Sequence, residues 1–189
     1  MDESRPHPQL EMIWPAQRLD APPSIHLPAG YALRTHRAED TPRFYQVMAL
    51  AGWPGWDDAR LRPWLGRILP QGWFVIVCQE RGQIVATAMA LTSEAYPGGG
   101  ELGWLASDPD HRGRGLGLVA AAAVTAWFIE AGRRPMHLYT EDYRLPALKT
   151  YLKLGYVPFL CQPEMGDRWR TVCQQLGWPF TPDGWPSRA

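Results

Sequence analysis

The stretch that decides the fold is "SDPDHRGRGLGLV", which runs from Ser107 to Val119. Gly113, Gly115 and Gly117 alternate with other residues in it, and an alanine-rich apolar segment follows. Glycine lacks a Cβ atom, so such a loop lets backbone N–H groups come close to a bound group. A helix that starts just after the loop also attracts anions, because its first N–H groups have no partners. Taken by itself, the stretch fits either a phosphate-binding loop or a tight turn rich in glycine.

Three well-known phosphate-binding motifs do not match this loop. A Walker loop requires a lysine after its last glycine, and none follows here. A dinucleotide-binding fingerprint would require glycine where Leu118 stands, and it belongs after a first strand rather than a fourth. A protein-kinase loop needs partner motifs that the rest of the chain lacks.

The size and charge of the chain predict a globular protein without a nucleic-acid or membrane partner. Its 189 residues suit one domain with a sizeable core, and its formal net charge is zero. A neutral chain has no electrostatic attraction to nucleic acid or to an anionic membrane. The longest apolar stretch, residues 116–129, is too short to span a bilayer.

Cysteine and histidine usage predicts a cytoplasmic protein without a metal site. Cys78, Cys161 and Cys173 are odd in number and have no C-x-x-C spacing, which argues against a disulfide framework and a zinc site. The five histidines are scattered and form no H-E-x-x-H motif. Residues 1–12 are polar and lack the apolar region of a signal peptide.

Hydrophobic periodicity and turn residues predict alternating strands and helices. We expect an extended arm over residues 1–28 with a short strand at 10–14, a domain over 29–175 and a tail over 176–189. The domain is predicted to have strands at residues 30–36, 73–78, 83–91, 101–108, 134–142 and 156–161, and helices at residues 38–52, 56–69, 117–132, 144–155 and 166–177. The third of these helices is predicted to bury one face, formed by Leu118, Ala121, Ala122, Thr125 and Ile129.

The glycine loop and a second stretch carry a family resemblance. A strand, then "DPDHRGRGLG" at residues 108–117, then a helix resembles the [QR]-x-x-G-x-[GA] signature of the GCN5-related N-acetyltransferases, the GNAT superfamily. Arg112, Gly115 and Gly117 fill its fixed positions. "ALKTYLKLGY" at residues 147–156 is similar to the A-x-x-x-Y-x-x-x-G-[FY] helix end of the same family. Two matches in the right order are much stronger than either alone.

The resemblance covers residues 30–160 in element order and is specific for residues 101–160. It implies an α/β fold with a central mixed, largely antiparallel sheet flanked by helices, in which the fourth and fifth strands splay apart. It also implies acetyl-CoA as donor and no metal, with the pyrophosphate at the loop and the pantetheine arm along the fourth strand. The residues implied in this binding are Leu105, Ala106, Ser107, Arg112, Gly113, Arg114, Gly115, Leu116 and Gly117.

Acetyl transfer to an amine requires a base, because an amine with a pKa of about 10.4 is almost fully protonated at pH 7. The resemblance makes Glu101, at the start of the fourth strand, the leading candidate. Glu141 and Asp142, at the end of the fifth strand, are the alternatives. A structural role competes with the functional one, since Glu101 also fits an exposed strand-end charge and Asp142 a helix N-cap.

Tyr151 matches the tyrosine that faces the sulfur of coenzyme A in the family. Its implied role is to donate a proton or a hydrogen bond to the departing thiolate. A tyrosine has a pKa near 10 and a thiol near 8.5, so full proton transfer costs about 2 kcal/mol, and a hydrogen bond is the safer expectation. Arg144 departs from the family, which often has asparagine at this position.

The segment between the first two helices is the candidate acceptor pocket. It holds Trp53, Trp56 and Trp64 together with Asp57 and Asp58. Aromatic rings beside carboxylates suit an amine with an apolar body. The same residues also fit a structural role, in which the tryptophans pack helices onto the sheet and the aspartates cap the second helix. The candidate acceptor-binding residues are Trp53, Trp56 and Glu141.

Two function classes follow from the sequence. The first is an acyl-CoA-dependent N-acyltransferase that passes acetyl from acetyl-CoA to a primary amine by direct attack in a ternary complex. The second is a non-catalytic acyl-CoA-binding module that keeps the loop and has lost the chemistry. The expected acceptor is a small-molecule or peptide amine, and the sequence leaves a homodimer open.

Overall fold

A seven-stranded sheet organises the computed structural model, which describes residues 8–187. The strands are β1 (Leu10–Ile13), β2 (Tyr31–Thr35), β3 (Ile68–Cys78), β4 (Gln83–Thr92), β5 (Gly100–Ser107), β6 (Met136–Thr140) and β7 (Val157–Phe159). The helices are α1 (Thr41–Leu50), α2 (Asp58–Leu65), α3 (Leu116–Glu130), α4 (Leu145–Leu154) and α5 (Met165–Leu176). The predicted order of elements is therefore confirmed. The helix predicted over residues 56–69 is wrong at its end, because α2 stops at Leu65 and β3 begins at Ile68, five residues earlier than expected. The fourth and fifth strands of the prediction are β5 and β6.

The strand order is β2-β3-β4-β5-β6-β1-β7. Every neighbouring pair is antiparallel except β5 and β6, which run parallel. This arrangement confirms the predicted mixed, largely antiparallel sheet. None of the helices between residues 8 and 187 has the length and apolar composition needed to cross a membrane.

The short strand predicted in the N-terminal arm lies inside the sheet, between β6 and β7. Successive side chains of a strand point to opposite faces. Leu10 and Met12 are fully buried in the core on the α3 side of the sheet. Glu11 is also buried, and its Oε1 accepts a 2.8 Å hydrogen bond from the hydroxyl of Tyr96 and lies 3.4 Å from Nδ1 of His137. The β1 part of the predicted arm thus belongs to the domain's sheet and core.

Helix α3 is buried on more than one side. The predicted single face is wrong in one respect, since Leu118 is 36% exposed while all residues from Val119 to Thr125 are buried. Four of them are alanines, whose small side chains let the helix lie close against the sheet and against α4. A helix that is hydrophobic almost all round has no single face for periodicity to reveal.

Strands β5 and β6 separate soon after they meet. Only Gly100 with Met136 and Glu101 with His137 are paired between them, whereas the pairing of β5 with β4 runs from one end of β5 to the other with one interruption. A β-bulge in β5 accompanies the separation, and within it Trp104 has a φ of 50°. Bulges bend a strand and re-aim its side chains. The predicted splaying of these two strands is confirmed.

The start of β5 is tightly packed, which gives a stability prediction. A methyl group on Gly100 would lie 2.5 Å from the ring of Phe128, which is fully buried in α3. We expect Gly100→Ala to lower the free energy of unfolding by about 1–3 kcal/mol through overpacking, measured by urea denaturation. Gly166→Ala is the control, because a methyl group there meets no atom within 4 Å and its stability should be unchanged or higher. Equal stability of the two variants would contradict the packing described here.

Candidate active site

A cavity of about 260 Å³ lies where β5 and β6 part. Its walls come from both strands and the residue just after β6, from α2 and the loop before it, from α4 and its N-cap residue, and from the residue just before β1. They combine aromatic rings with two carboxylates and one guanidinium. The lining residues are Gln9, Trp53, Trp64, Glu101, Leu102, Gly103, Trp104, Leu105, Tyr139, Thr140, Glu141, Arg144, Ala147 and Tyr151.

The structure brings five of the predicted site residues to this cavity, namely Tyr151, Glu101, Glu141, Leu105 and Trp53. The remaining candidates lie outside the walls of the cavity.

Trp56 lies behind the wall of the cavity instead of lining it. It is 6% exposed, and its ring packs edge-on against Trp104 at 4.6 Å and against Phe44 at 5.2 Å. Asp57 caps α2, because its carboxylate accepts a 2.8 Å hydrogen bond from the backbone N–H of Arg60. For these two residues the structure shows the packing and capping contacts that the sequence left as one alternative.

Tyr151 lies on α4 with its side chain at the cavity. The residue is 6% exposed, and no described residue accepts or donates a hydrogen bond at its hydroxyl. Burial raises the pKa of Tyr151 well above its ordinary value, and the nearby charge of Arg144 opposes this only in part. The phenol is therefore protonated at neutral pH and can donate a hydrogen bond into the cavity.

Glu101 is held by an arginine that sequence reasoning missed. Its Oε2 accepts a 2.7 Å hydrogen bond from Nη2 of Arg67, which also donates to the carbonyl oxygen of Thr92 and lies against the ring of Trp64. Nη1 of the same arginine is 3.3 Å from the carboxylate of Glu94. Glu101 is thus fixed in position at the cavity wall with its negative charge matched by a guanidinium.

Glu141 and Asp142 face different surroundings. Glu141 lines the cavity, and its Oε1 accepts a 3.0 Å hydrogen bond from the side-chain amide of Gln9. Asp142 forms an ion pair with Arg168 on α5 and does not line the cavity. Of the two alternative bases, only Glu141 is therefore in the cavity wall. Gln9 was missed because it is 132 residues away in sequence.

The glycine loop is shaped by its backbone and anchored by one carboxylate. Gly113 and Gly115 both have φ values of 75°, in the left-handed region that favours glycine, and Gly115 is the N-cap of α3. The side chain of Asp108 accepts hydrogen bonds from Nη2 of Arg43 at 2.5 Å and from the backbone N–H of Asp110 at 3.0 Å. These bonds tie the end of β5 to α1 and to the start of the loop.

The space beside the loop is open. A Cβ atom on Gly113, Gly115 or Gly117 would meet no atom within 4 Å, and both Arg112 and Arg114 are exposed. Together with the N–H groups at the start of α3, these features suit a pyrophosphate, which needs close backbone approach and positive charge. Binding of a pyrophosphate by these loop residues stays a prediction.

The edge of β5 that faces β6 is unpaired beyond Glu101. The register between the two strands contains no pair at Leu105, Ala106 or Ser107. Backbone N–H and C=O groups on such an edge can pair with an extended ligand. No group of three or more His, Cys, Asp or Glu side chains between residues 8 and 187 could hold a metal ion.

A known protein family matches the part of the chain that holds most of this site. The model of the family described as "Acetyltransferase (GNAT) family" matches residues 31–156. The chain belongs to this family. The match includes the glycine loop, both separating strands and Tyr151, so the resemblance noted in the sequence is confirmed. Acetyl-CoA is the typical acyl donor of GNAT acetyltransferases, and their acceptors are small-molecule or peptide amines.

A curated relative of this GNAT protein is the mycothiol acetyltransferase of Rhodococcus erythropolis. The two are 30% identical over 163 residues, which cover 79% of this chain and 54% of the relative. The chain therefore spans about half the length of the curated relative that it matches.

Solved structures share the fold. A GCN5-related N-acetyltransferase from Sphaerobacter thermophilus has a TM-score of 0.63 and 23% identity, over 80% of this chain and 49% of that one. The ribosomal-protein-S18-alanine N-acetyltransferase of Escherichia coli has a TM-score of 0.56 and 21% identity, over 66% of this chain and 76% of that one. At these identities the likeness shows the fold alone.

Proposed function

We propose that this protein is an N-acetyltransferase that transfers the acetyl group of acetyl-CoA to a primary amine by direct attack in a ternary complex. The observation that carries the proposal is the gap between β5 and β6, where Tyr151, Glu101 and Glu141 line one cavity. Family membership supports the reaction class.

The donor would lie along the gap. Its pyrophosphate would bind the open side of Gly113, Gly115 and Gly117 and the first N–H groups of α3. The amides of its pantetheine arm would pair with the unpaired edge of β5 at Leu105 to Ser107. This path leads towards the cavity, because Leu105 belongs both to that edge and to the cavity wall.

The acceptor amine must lose a proton before it attacks. For an amine with a pKa of about 10.4, deprotonation at pH 7 costs about 4.6 kcal/mol. Glu101 is the proposed base, and Glu141 is the alternative within the same cavity. The neutral nitrogen then bonds to the thioester carbonyl carbon, the C–S bond breaks, and coenzyme A leaves as a thiolate. The nitrogen releases its second proton to solvent as the neutral amide forms.

Tyr151 would stabilise that thiolate with a hydrogen bond from its phenol. Burial raises the pKa of Tyr151, so transfer of its proton to a thiolate is even less favourable than for an exposed tyrosine. A hydrogen bond stabilises the developing charge without this cost.

The alternative, a non-catalytic acyl-CoA-binding module, is less well supported. Such a module would need the loop and the gap but not a protonated tyrosine and two carboxylates around one cavity. Isothermal titration with acetyl-CoA, combined with a thiol-release assay over a panel of amines, separates the two classes. Binding without thiol release for any amine would support the module.

The loop gives a binding prediction. Gly115→Asp places a side chain and a negative charge in the proposed pyrophosphate site, so we expect acetyl-CoA affinity to fall by at least about tenfold in isothermal titration. Gly82→Asp is the matched control, because Gly82 also has a positive φ and open space but lies in the turn between β3 and β4. If Gly115→Asp bound acetyl-CoA as tightly as wild type, the proposed site would be wrong.

The tyrosine gives a kinetic prediction. Tyr151→Phe keeps the ring and removes the hydroxyl, so turnover should fall by about 100-fold or less while acetyl-CoA affinity stays near the wild-type value. Because the raised pKa keeps Tyr151 protonated through the neutral range, its removal should not change the alkaline side of the pH–rate profile. Unchanged turnover in a chemistry-limited assay would make Tyr151 a packing residue.

The base gives a pH prediction. If Glu101 removes the amine proton, log(kcat/KM) rises with pH below the pKa of the base, and Glu101→Gln flattens that limb. Glutamine can still accept the hydrogen bond from Arg67, so the wall of the cavity should keep its shape. The measurement is a pH–rate profile with one working acceptor.

Glu141→Gln is the matched variant for this experiment, since it changes the second carboxylate of the same cavity. We expect it to have the weaker effect. Loss of the acidic limb in Glu141→Gln, with the limb kept in Glu101→Gln, would move the base to the end of β6. If neither variant changed the limb, ionisation of the amine itself or a water relay would be the better account.

A further inference from the structure

Arg144 brings to the cavity a guanidinium that has no ion-pair partner among residues 8–187. It is the N-cap residue of α4 and lines the cavity. Its Cζ atom lies 3.5 Å from the centre of the Trp53 ring, so the indole covers one side of the guanidinium. This contact joins the start of α4 to the loop between α1 and α2, across the cavity.

Four other arginines of the molecule differ from Arg144 because they have an anionic partner. Arg34, Arg43, Arg67 and Arg168 each form an ion pair with an aspartate or glutamate. Arg144 forms none with any residue between 8 and 187, and its nearest hydrogen-bonding contact is 3.5 Å from Nη2 to the hydroxyl of Tyr143. Its Nε is buried without an acceptor in that part of the chain.

A buried N–H group without an acceptor is costly, and the cost is greatest for charged groups. Stacking on Trp53 stabilises the cation through its face but leaves the N–H edge unsatisfied. A carboxylate fits this edge, because the planar guanidinium donates two parallel hydrogen bonds to its two oxygens. An anion in the cavity would therefore complete the environment of Arg144.

Neither the two carboxylates of the cavity nor the pyrophosphate fills this role. Glu101 is already paired with another arginine. Glu141 accepts a hydrogen bond from Gln9 through its Oε1 and forms no ion pair with Arg144. The pyrophosphate site proposed above is also separate, since none of the loop residues from Arg112 to Gly117 lines the cavity. The anion must then come from the other molecule that enters the cavity, which is the acceptor.

We propose that the acceptor is an amino carboxylate with an apolar body, and that Arg144 binds its carboxylate. This inference rests on the proposed function and names its substrate class. The amine would face the carboxylates of Glu101 and Glu141, while Trp53 and Trp64 would contact the apolar body. Positive and negative groups of the acceptor would each meet the opposite charge in the cavity.

Arg144 can be replaced without removing a helix cap. Its side chain makes no capping hydrogen bond to α4, so Arg144→Gln should fold normally. Arg170→Gln is the matched control, because Arg170 also stacks on an aromatic ring, with its Cζ 4.5 Å from the centre of Phe180, but lies on α5 away from the cavity. Arg144→Lys keeps the charge and loses the planar pair of donors.

The kinetic experiment compares acceptors with and without a carboxylate. Phenylalanine is paired with phenylalaninamide, and leucine with leucinamide, and kcat/KM is measured by thiol release. For each variant, kcat/KM for the acid is divided by kcat/KM for the amide, and this ratio is divided by the wild-type ratio. The intrinsic reactivities of the two amines cancel in the resulting quotient. We expect this quotient to be about 10- to 100-fold below one for Arg144→Gln, partly restored in Arg144→Lys, and near one for Arg170→Gln.

A binding experiment keeps the inference separate from the catalytic proposal. Isothermal titration in the presence of coenzyme A compares N-acetylphenylalanine with its carboxamide. Wild type should bind the acid at least about tenfold more tightly than the amide, and Arg144→Gln should lose this preference. If the acid binds through Arg144 but no amine releases thiol, the anion site stands and the proposed catalysis is wrong.

Two results would overturn the inference while leaving the proposed function intact. The first is equal loss of kcat/KM for acid and amide acceptors in Arg144→Gln, which would place Arg144 in donor binding or in stabilisation of the thiolate. The second is absence of any preference for the acids in wild type, in both the kinetic and the binding experiment.

Discussion

The early separation of β5 and β6 is the constraint on which the site depends. Two residue pairs hold the strands together, and beyond Glu101 the bulge at Trp104 accompanies their divergence. Because β4 already satisfies one edge of β5, the other edge is left with unpaired backbone groups. The aromatic and charged side chains of several segments meet at the same gap, and Tyr151 reaches it from α4.

The N-terminal strand completes the sheet on the far side of that gap. It pairs with β6 on one edge and with β7 on the other. The edges of β6 and β7 that face β1 are therefore covered. Leu10 and Met12 fill the core, while Glu11 reaches Tyr96 and His137 on the opposite face. One residue before the strand, Gln9 holds Glu141 at the cavity. A segment that is polar and proline-rich in sequence thereby contributes to the core and to the site.

Some features of the site could be predicted from the sequence, because they depend on the backbone conformation and spacing of residues that are close along the chain. The glycines at 113 and 115 adopt the left-handed conformation in the loop before α3. Glycine favours this conformation, so the residue type alone indicates it. Tyr151 keeps a fixed spacing from Gly155, which ends α4 with a φ of 119°. The single buried face expected for α3 was wrong, because burial on several sides removes the periodic signal. Leu118 was placed on that face and is exposed.

By itself the sequence determined the order of the elements, the family, the glycine-loop motif and the position of the tyrosine, since each is carried by contiguous stretches of residues. Only the tertiary structure decided which side chains meet. Arg67 reaches Glu101 across 34 residues, and Gln9 reaches a carboxylate 132 residues away. Arg144, the N-cap residue of α4, stacks on Trp53 in the loop between α1 and α2. Such contacts depend on how strands and helices are placed in space, and neither spacing nor periodicity along one chain contains that information.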